Sequence, residues 1–155
     1  MNGRTIVFSI PIVAAVVLGA VRGVPAHEGC SNATLRGSYG IEASGVAVSG
    51  PLTGPLAFVG VLTYDGLGQV SGSVTQRVTT STGPTTLAHV PFAGTYTVNP
   101  DCTVDDALTN QSNGTVSVHE AVIVDSGRRF VILNTTAGPT VVSGTGIRQF
   151  GGERN

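Results

Sequence analysis

From Ser38 onward, apolar and polar side chains alternate with a period of two, in runs broken by Gly, Pro, Asn or Asp. That period belongs to β-strands with one buried and one wet face. Strands are predicted over Ser38–Val48, Leu56–Tyr64, Gln69–Thr79, Thr86–Val98, Thr103–Thr109, Thr115–Val124, Arg129–Thr135 and Val141–Phe150, all rich in β-branched or aromatic residues. Asp65-Gly66-Leu67-Gly68 and Asp125-Ser126-Gly127 supply residues that tolerate positive φ at hairpin spacing, and Thr82-Gly83-Pro84 and Asn110 to Gly114 suit longer turns. No window of ten residues after the first 26 carries an apolar stripe of helical period, so helix is expected only as a turn between Cys30 and Leu35, capped by Ser31 or Asn32.

The faces differ between strands. Val70, Val74 and Val78 alternate with polar residues, and Val116, Val118, Val122 and Val124 form a second apolar row, interrupted by Glu120 and offset from Ile123. These valine rows are the expected buried faces. Leu56–Tyr64 and Phe130–Leu133 are apolar on both sides, so a cover is expected outside them: the N-terminal segment, a loop or a second subunit. Sequential hairpins favour a meander, and eight meandering strands best remove their exposed edges by closing into an all-β antiparallel barrel. A Greek-key β-sandwich is the alternative. Gly37, Gly40, Gly45, Gly60, Gly72, Gly94 and Gly144 fall in or beside strands, where glycine relieves the bends of a tightly curved barrel.

Residues 1–26 have a different character. Arg4 precedes an apolar run from Ile6 to Val21, and Val24-Pro25-Ala26 is a small-residue cleavage site, the pattern of a signal peptide. Pro11 interrupts the run, which is also shorter than the roughly 20 residues of a spanning helix, so cleavage is favoured over a retained membrane anchor. Cys30 lacks the preceding residues of a lipid-attachment site. The remainder, residues 27–155, has room for one domain. It is expected to be secreted or periplasmic, away from the membrane once cleaved.

Composition narrows the partners. Residues 27–155 hold six arginines and no lysine against nine acids, too weak and scattered a charge for nucleic acid or an anionic membrane. Cys30 and Cys102 are the only cysteines, and in an exported chain they most simply form one disulfide, closing a loop worth roughly 4 kcal/mol. A free or metal-binding pair is the alternative.

Several motifs of this chain resemble those of a group of small secreted bacterial proteins of unknown function. They are Cys30-Ser31 with Leu35-Arg36-Gly37-Ser38-Tyr39-Gly40, then Leu62-Thr63-Tyr64-Asp65-Gly66-Leu67-Gly68, then Gly94-Thr95-Tyr96-Thr97-Val98-Asn99-Pro100-Asp101-Cys102-Thr103. The resemblance implies export and a small β-barrel similar to lipocalin-like and allene-oxide-cyclase-like barrels, with both cysteines in matching places. It implies no catalytic residue. Val104-Asp105-Asp106 departs from the apolar-polar strand expected after the second cysteine.

Candidate chemistry is sparse. A chain cut after Ala26 would begin at His27, whose amine and imidazole could chelate copper with His89 or His119, but no Trp is present to offer a polysaccharide surface. His119-Glu120 opens a zinc-protease motif that Ile123 fails to complete. Asp101, Asp105 and Asp106 with Asn99 match no regular calcium loop and read as an acidic turn. Glu42 and Glu120 could share a cavity as acid and base, or pair with Arg77 or Arg148. No cofactor is expected.

Three function classes remain. The first is a binding module with a cavity lined by Tyr39, Phe58, Tyr96 and Phe130, joined by Glu42 and Glu120, for a small apolar ligand. The second is an interaction or envelope protein using Val59, Val61 and Leu133 as a protein interface, which allows an oligomer. The third is a cyclase or isomerase that confines its substrate, favoured if a charged side chain such as Glu42, His119, Glu120 or Arg148 lies inside. The non-catalytic binding or interaction module is preferred.

Overall fold

A computed structural model describes residues 29–50 and 52–149. The signal segment, His27 and Phe150 lie outside them. Eight strands follow one another as β1 (Arg36–Ala47), β2 (Gly54–Asp65), β3 (Gln69–Thr80), β4 (Gly83–Val98), β5 (Thr103–Asn110), β6 (Val116–Val124), β7 (Arg129–Asn134) and β8 (Thr140–Arg148). Each pairs antiparallel with the next, and β8 returns to β1, so the sheet is a closed meander barrel rather than a sandwich. The strand count and order match the alternation read from the sequence, including β5, whose aspartates do not prevent pairing.

Closure depends on tight coiling where glycine replaces a side chain. Gly60 of β2 lies against the Ser73-Val74 backbone of β3, and Gly72 of β3 against the Val61-Leu62 backbone of β2, and a Cβ on either would overlap the neighbouring strand. At Gly146 the ring of Phe130, its partner on β7, lies over the bare backbone.

The two ends of the barrel differ. At the end where β1 begins, a 3₁₀ turn over Asn32–Thr34 and the buried Leu35 form a stopper, as the expected short turn. The Asn32 side chain accepts a hydrogen bond from the Val98 amide (2.8 Å), and the Cys30–Cys102 disulfide ties the same segment to the β4–β5 turn. Beneath the stopper, Tyr39, Tyr64, Tyr96 and Phe130 pack with ring centres 5.0–5.7 Å apart. Two of the hydroxyls bond backbone at this end: Tyr39 donates to the Gly127 carbonyl (2.6 Å), and Tyr96 accepts from the Gly66 amide (2.9 Å). In the β2–β3 turn, Asp65 accepts from the amides of Gln69, Leu67 and Gly68, which hold its carboxyl below the usual carboxylate range. Both ends of the described chain emerge here, Cys30 against Pro100 and Gln149 against Ser38.

At the other end, Ala47, Leu56 and Val78 form a small separate cluster with Leu52 and Val142. Between this collar and the aromatic layer the barrel is hollow.

One predicted face is inverted. In β6, Val116, Val118 and Val122 are exposed, whereas Ser117, His119, Ala121 and Ile123 point inward. The reason is chemical: an inward valine row would put Glu120 in the lumen and expel His119 from its partner Asp106. The doubly apolar strands also carry bare outer side chains. Val59 is 61% exposed and Leu133 47%, and no described residue covers them as expected.

Candidate functional site

The hollow half encloses a cavity of about 230 Å³, open to solvent at the collar end. Alternation along the strands aims one residue in two at it. Tyr64, Leu62 and Phe130 make the floor, Ile41, Phe58, Val74, Phe92, Leu108 and Ile132 the walls, and Leu52, Leu56, Val78 and Val142 the apolar part of the rim. Polar groups are few: Ser117, His119 and Asn134 on β6 and β7, Thr140 and Ser143 on β8, and Gln76 on β3. A cavity of about 150 Å³ walled by aliphatic and aromatic residues is enough to hold benzene. This one therefore suits a molecule of one or two rings.

The polar group is built by strand register. Asp106 of β5 stands directly opposite His119 of β6, and His119 directly opposite Asn134 of β7, so three inward polar side chains form one row across the sheet. His119 Nδ1 lies 2.6 Å from Asp106 Oδ1, with side-chain exposures of 14% and 3%. A carboxylate can only accept, so Nδ1 carries the proton of this bond. In the neutral form of this tautomer the lone pair lies on Nε2, which has no partner among the described residues, and His119 lines the cavity. The Asn134 oxygen accepts from the Thr136 amide (3.1 Å), leaving the amide N–H₂ as the group without a partner among the described residues.

Two further groups shape the electrostatics. Burial, and after it the charge of Asp106, pushes the Tyr64 hydroxyl well above its ordinary pKa, so the floor is uncharged. Asp106 is the one buried charged side chain among the described residues. The lumen therefore has one carboxylate, screened by an imidazole.

The residues singled out from the sequence divide. Phe58 and Phe130 line the cavity. Tyr39 and Tyr96 do not: they lie in the layer below the floor, because their hydroxyls are drawn to the stopper backbone. Glu42 and Glu120 stand on the outer face, opposite Val59 and Leu133, because strand parity turns them away from the lumen. Arg77 bonds Thr86 at the surface and Arg148 lies over Gly37, so neither pairs with those glutamates. His89 is exposed on β4 while His119 is inside, so the two do not converge as copper ligands, and His27 lies outside the described residues. The aspartates near Cys102 also diverge: Asp101 accepts from the Thr103 hydroxyl and amide, Asp105 from Asn99, and Asp106 points inward. Among the described residues no three His, Cys, Asp or Glu side chains are grouped to hold a metal ion. Cys30 and Cys102 form the expected disulfide.

Asp106 was missed as a lumen residue, although a signal existed. Asp106 lies six residues before Ser112 and His119 six residues after Asn113, which sets them opposite once the Ser112-Asn113 pair is taken as the hairpin apex.

No protein-family model matches the chain, and no curated protein matches it. Among solved structures it is similar to a redesigned β-barrel at 20% identity, covering 76% of this chain and 94% of that one, with a TM-score of 0.49. It is similar also to the redesigned β-barrel mFAP1 bound to DFHBI, at 21% identity, 76% and 97% coverage and a TM-score of 0.48. Likeness at this level carries no inference about ligand or chemistry.

Proposed function

We propose that this protein is an exported, non-catalytic binding barrel that holds one small, largely apolar molecule in the open half of its lumen. The observation that carries the reading is the cavity itself: largely apolar walls around about 230 Å³, with most of the few polar groups on β6 to β8. The signal pattern of residues 1–26 and a disulfide suited to an oxidising compartment support export. Among the described residues no helix is long and apolar enough to cross a membrane.

Native mass spectrometry of the protein purified from cells that secrete it tests the reading, together with titration by one- and two-ring aromatic compounds. A non-covalent mass of that size, lost on denaturation, or saturable uptake of such probes is expected. A bare chain that takes up none of them would overturn it and turn attention to the exposed valines as a protein interface.

A second reading, a cyclase- or isomerase-type enzyme, is favoured by one observation, the His119 Nε2 lone pair bordering the cavity. Deuterium exchange into a bound carbonyl compound beside His119, absent in His119→Gln, is its test.

A further inference from the structure

We infer that the Asp106–His119–Asn134 row is a recognition site for a hydroxyl group, so that the ligand class is an uncharged apolar ring compound bearing one hydroxyl, of the phenol or naphthol type. The inference rests on the cavity-binding reading and adds the head group to it. A hydroxyl is at once a donor and an acceptor. The row offers the complement: with Nδ1–H committed to Asp106, Nε2 of the neutral His119 ring accepts, and the Asn134 amide donates, because its oxygen is committed to Thr136. Direct cross-strand neighbours on one face stand about 5 Å apart at Cβ, close enough for one oxygen to meet both.

Charge selects the same class. Asp106 places negative charge behind the imidazole, and every described arginine is exposed and none lines the cavity: Arg77 bonds Thr86 at the surface, and Arg148 lies over Gly37 at the stoppered end. A carboxylate head would meet that charge with no cation to offset it. A plain hydrocarbon would fill the volume but leave Nε2 and the Asn134 amide desolvated and unpaired, which is costly to a buried polar group. The neutral Tyr64 hydroxyl in the floor adds no charge.

The experiment is isothermal titration of the purified protein at pH 8 with 2-naphthol, naphthalene and 2-naphthoate, repeated on Asn134→Leu and on the double variant Asp106→Leu/His119→Leu, which removes both members of the pair together. The expected result is 2-naphthol binding about tenfold more tightly than either of the others, with the preference over naphthalene abolished in the double variant while naphthalene still binds. Equal affinity for 2-naphthol and naphthalene in the unmodified protein would overturn the hydroxyl site and leave the cavity reading standing. Tighter binding of 2-naphthoate would also overturn it, since the ring would then be acting as a cation. Failure of all three compounds to bind the folded protein would overturn the cavity reading, and this inference with it.

Discussion

Replacing His119 by Leu removes the partner of a carboxylate that is 3% exposed, while nearly conserving volume. Asp106 accepts no other hydrogen bond among the described residues, so the substitution strands a buried charge. Breaking a buried pair in this way costs about 3–5 kcal/mol. Because the imidazole borders a cavity open to solvent, water can replace part of what it supplied, which favours the lower end, about 3 kcal/mol. With a urea dependence of about 1.5 kcal/mol per molar, that is a fall of about 2 M in the unfolding midpoint. The double variant Asp106→Leu/His119→Leu has no charge to strand and should return to within about 1 kcal/mol of the parent. Urea unfolding of the parent, the two single variants and the double variant closes a cycle whose coupling term is the quantity sought. A loss under 1 kcal/mol in His119→Leu, additive with that of Asp106→Leu, would refute the reasoning, because the carboxylate would then be solvated without its histidine.

Three further outcomes follow from other parts of the barrel. Removing the disulfide as Cys30→Ser/Cys102→Ser frees a loop with a sequence separation of 72, and the chain-entropy relation gives a loss of about 4 kcal/mol, read by denaturant unfolding against the oxidised parent. Gly146→Ala forces Phe130 out of its packing and should cost about 2 kcal/mol, or roughly 8 °C in Tm, measured by calorimetry. All three tyrosines have hydroxyls raised by burial, so each favours the folded state while it stays protonated. That stability is complete below the unfolded value of about 10 and is lost as pH rises through the higher folded values. Phenolate absorbance should therefore appear together with the loss of β circular dichroism on alkaline titration; a tyrosine ionising near pH 10 in the folded barrel would contradict the burial argument.

The barrel was legible because its two determinants are local. Alternation in β2 and β3 and turn residues such as Asp65-Gly66 specify strands and their succession, and closure is favoured over a sandwich because it removes the exposed edges of a meander. The site was legible only in fragments. Phe58 and Phe130 could be proposed for the lumen from size and parity, but Tyr39 and Tyr96 have the same parity and lie deeper, since nothing along the strand records where the stopper sits. In β6 the apolar count favoured the valine face, yet that face carries Glu120, and turning it outward buries Ala121 and Ile123 and sets His119 against Asp106. Burial of a polar pair depends on register between strands, which a one-strand pattern does not contain.

Cys30 and Gln149, near the two ends of the described residues, lie beside the stopper, on the side remote from the mouth. An attachment at either end, whether a fused domain, a surface linker or a fluorescent tag, would hang from the base like a stem and leave the opening facing outward. The same geometry makes a circular permutant feasible: Cys30 and Gln149 could be bridged across the base and new ends cut in the exposed Ser81-Thr82 turn, which would move the stem to the rim. Orientation on a surface would thus become a choice of linkage, with the cavity itself unaltered.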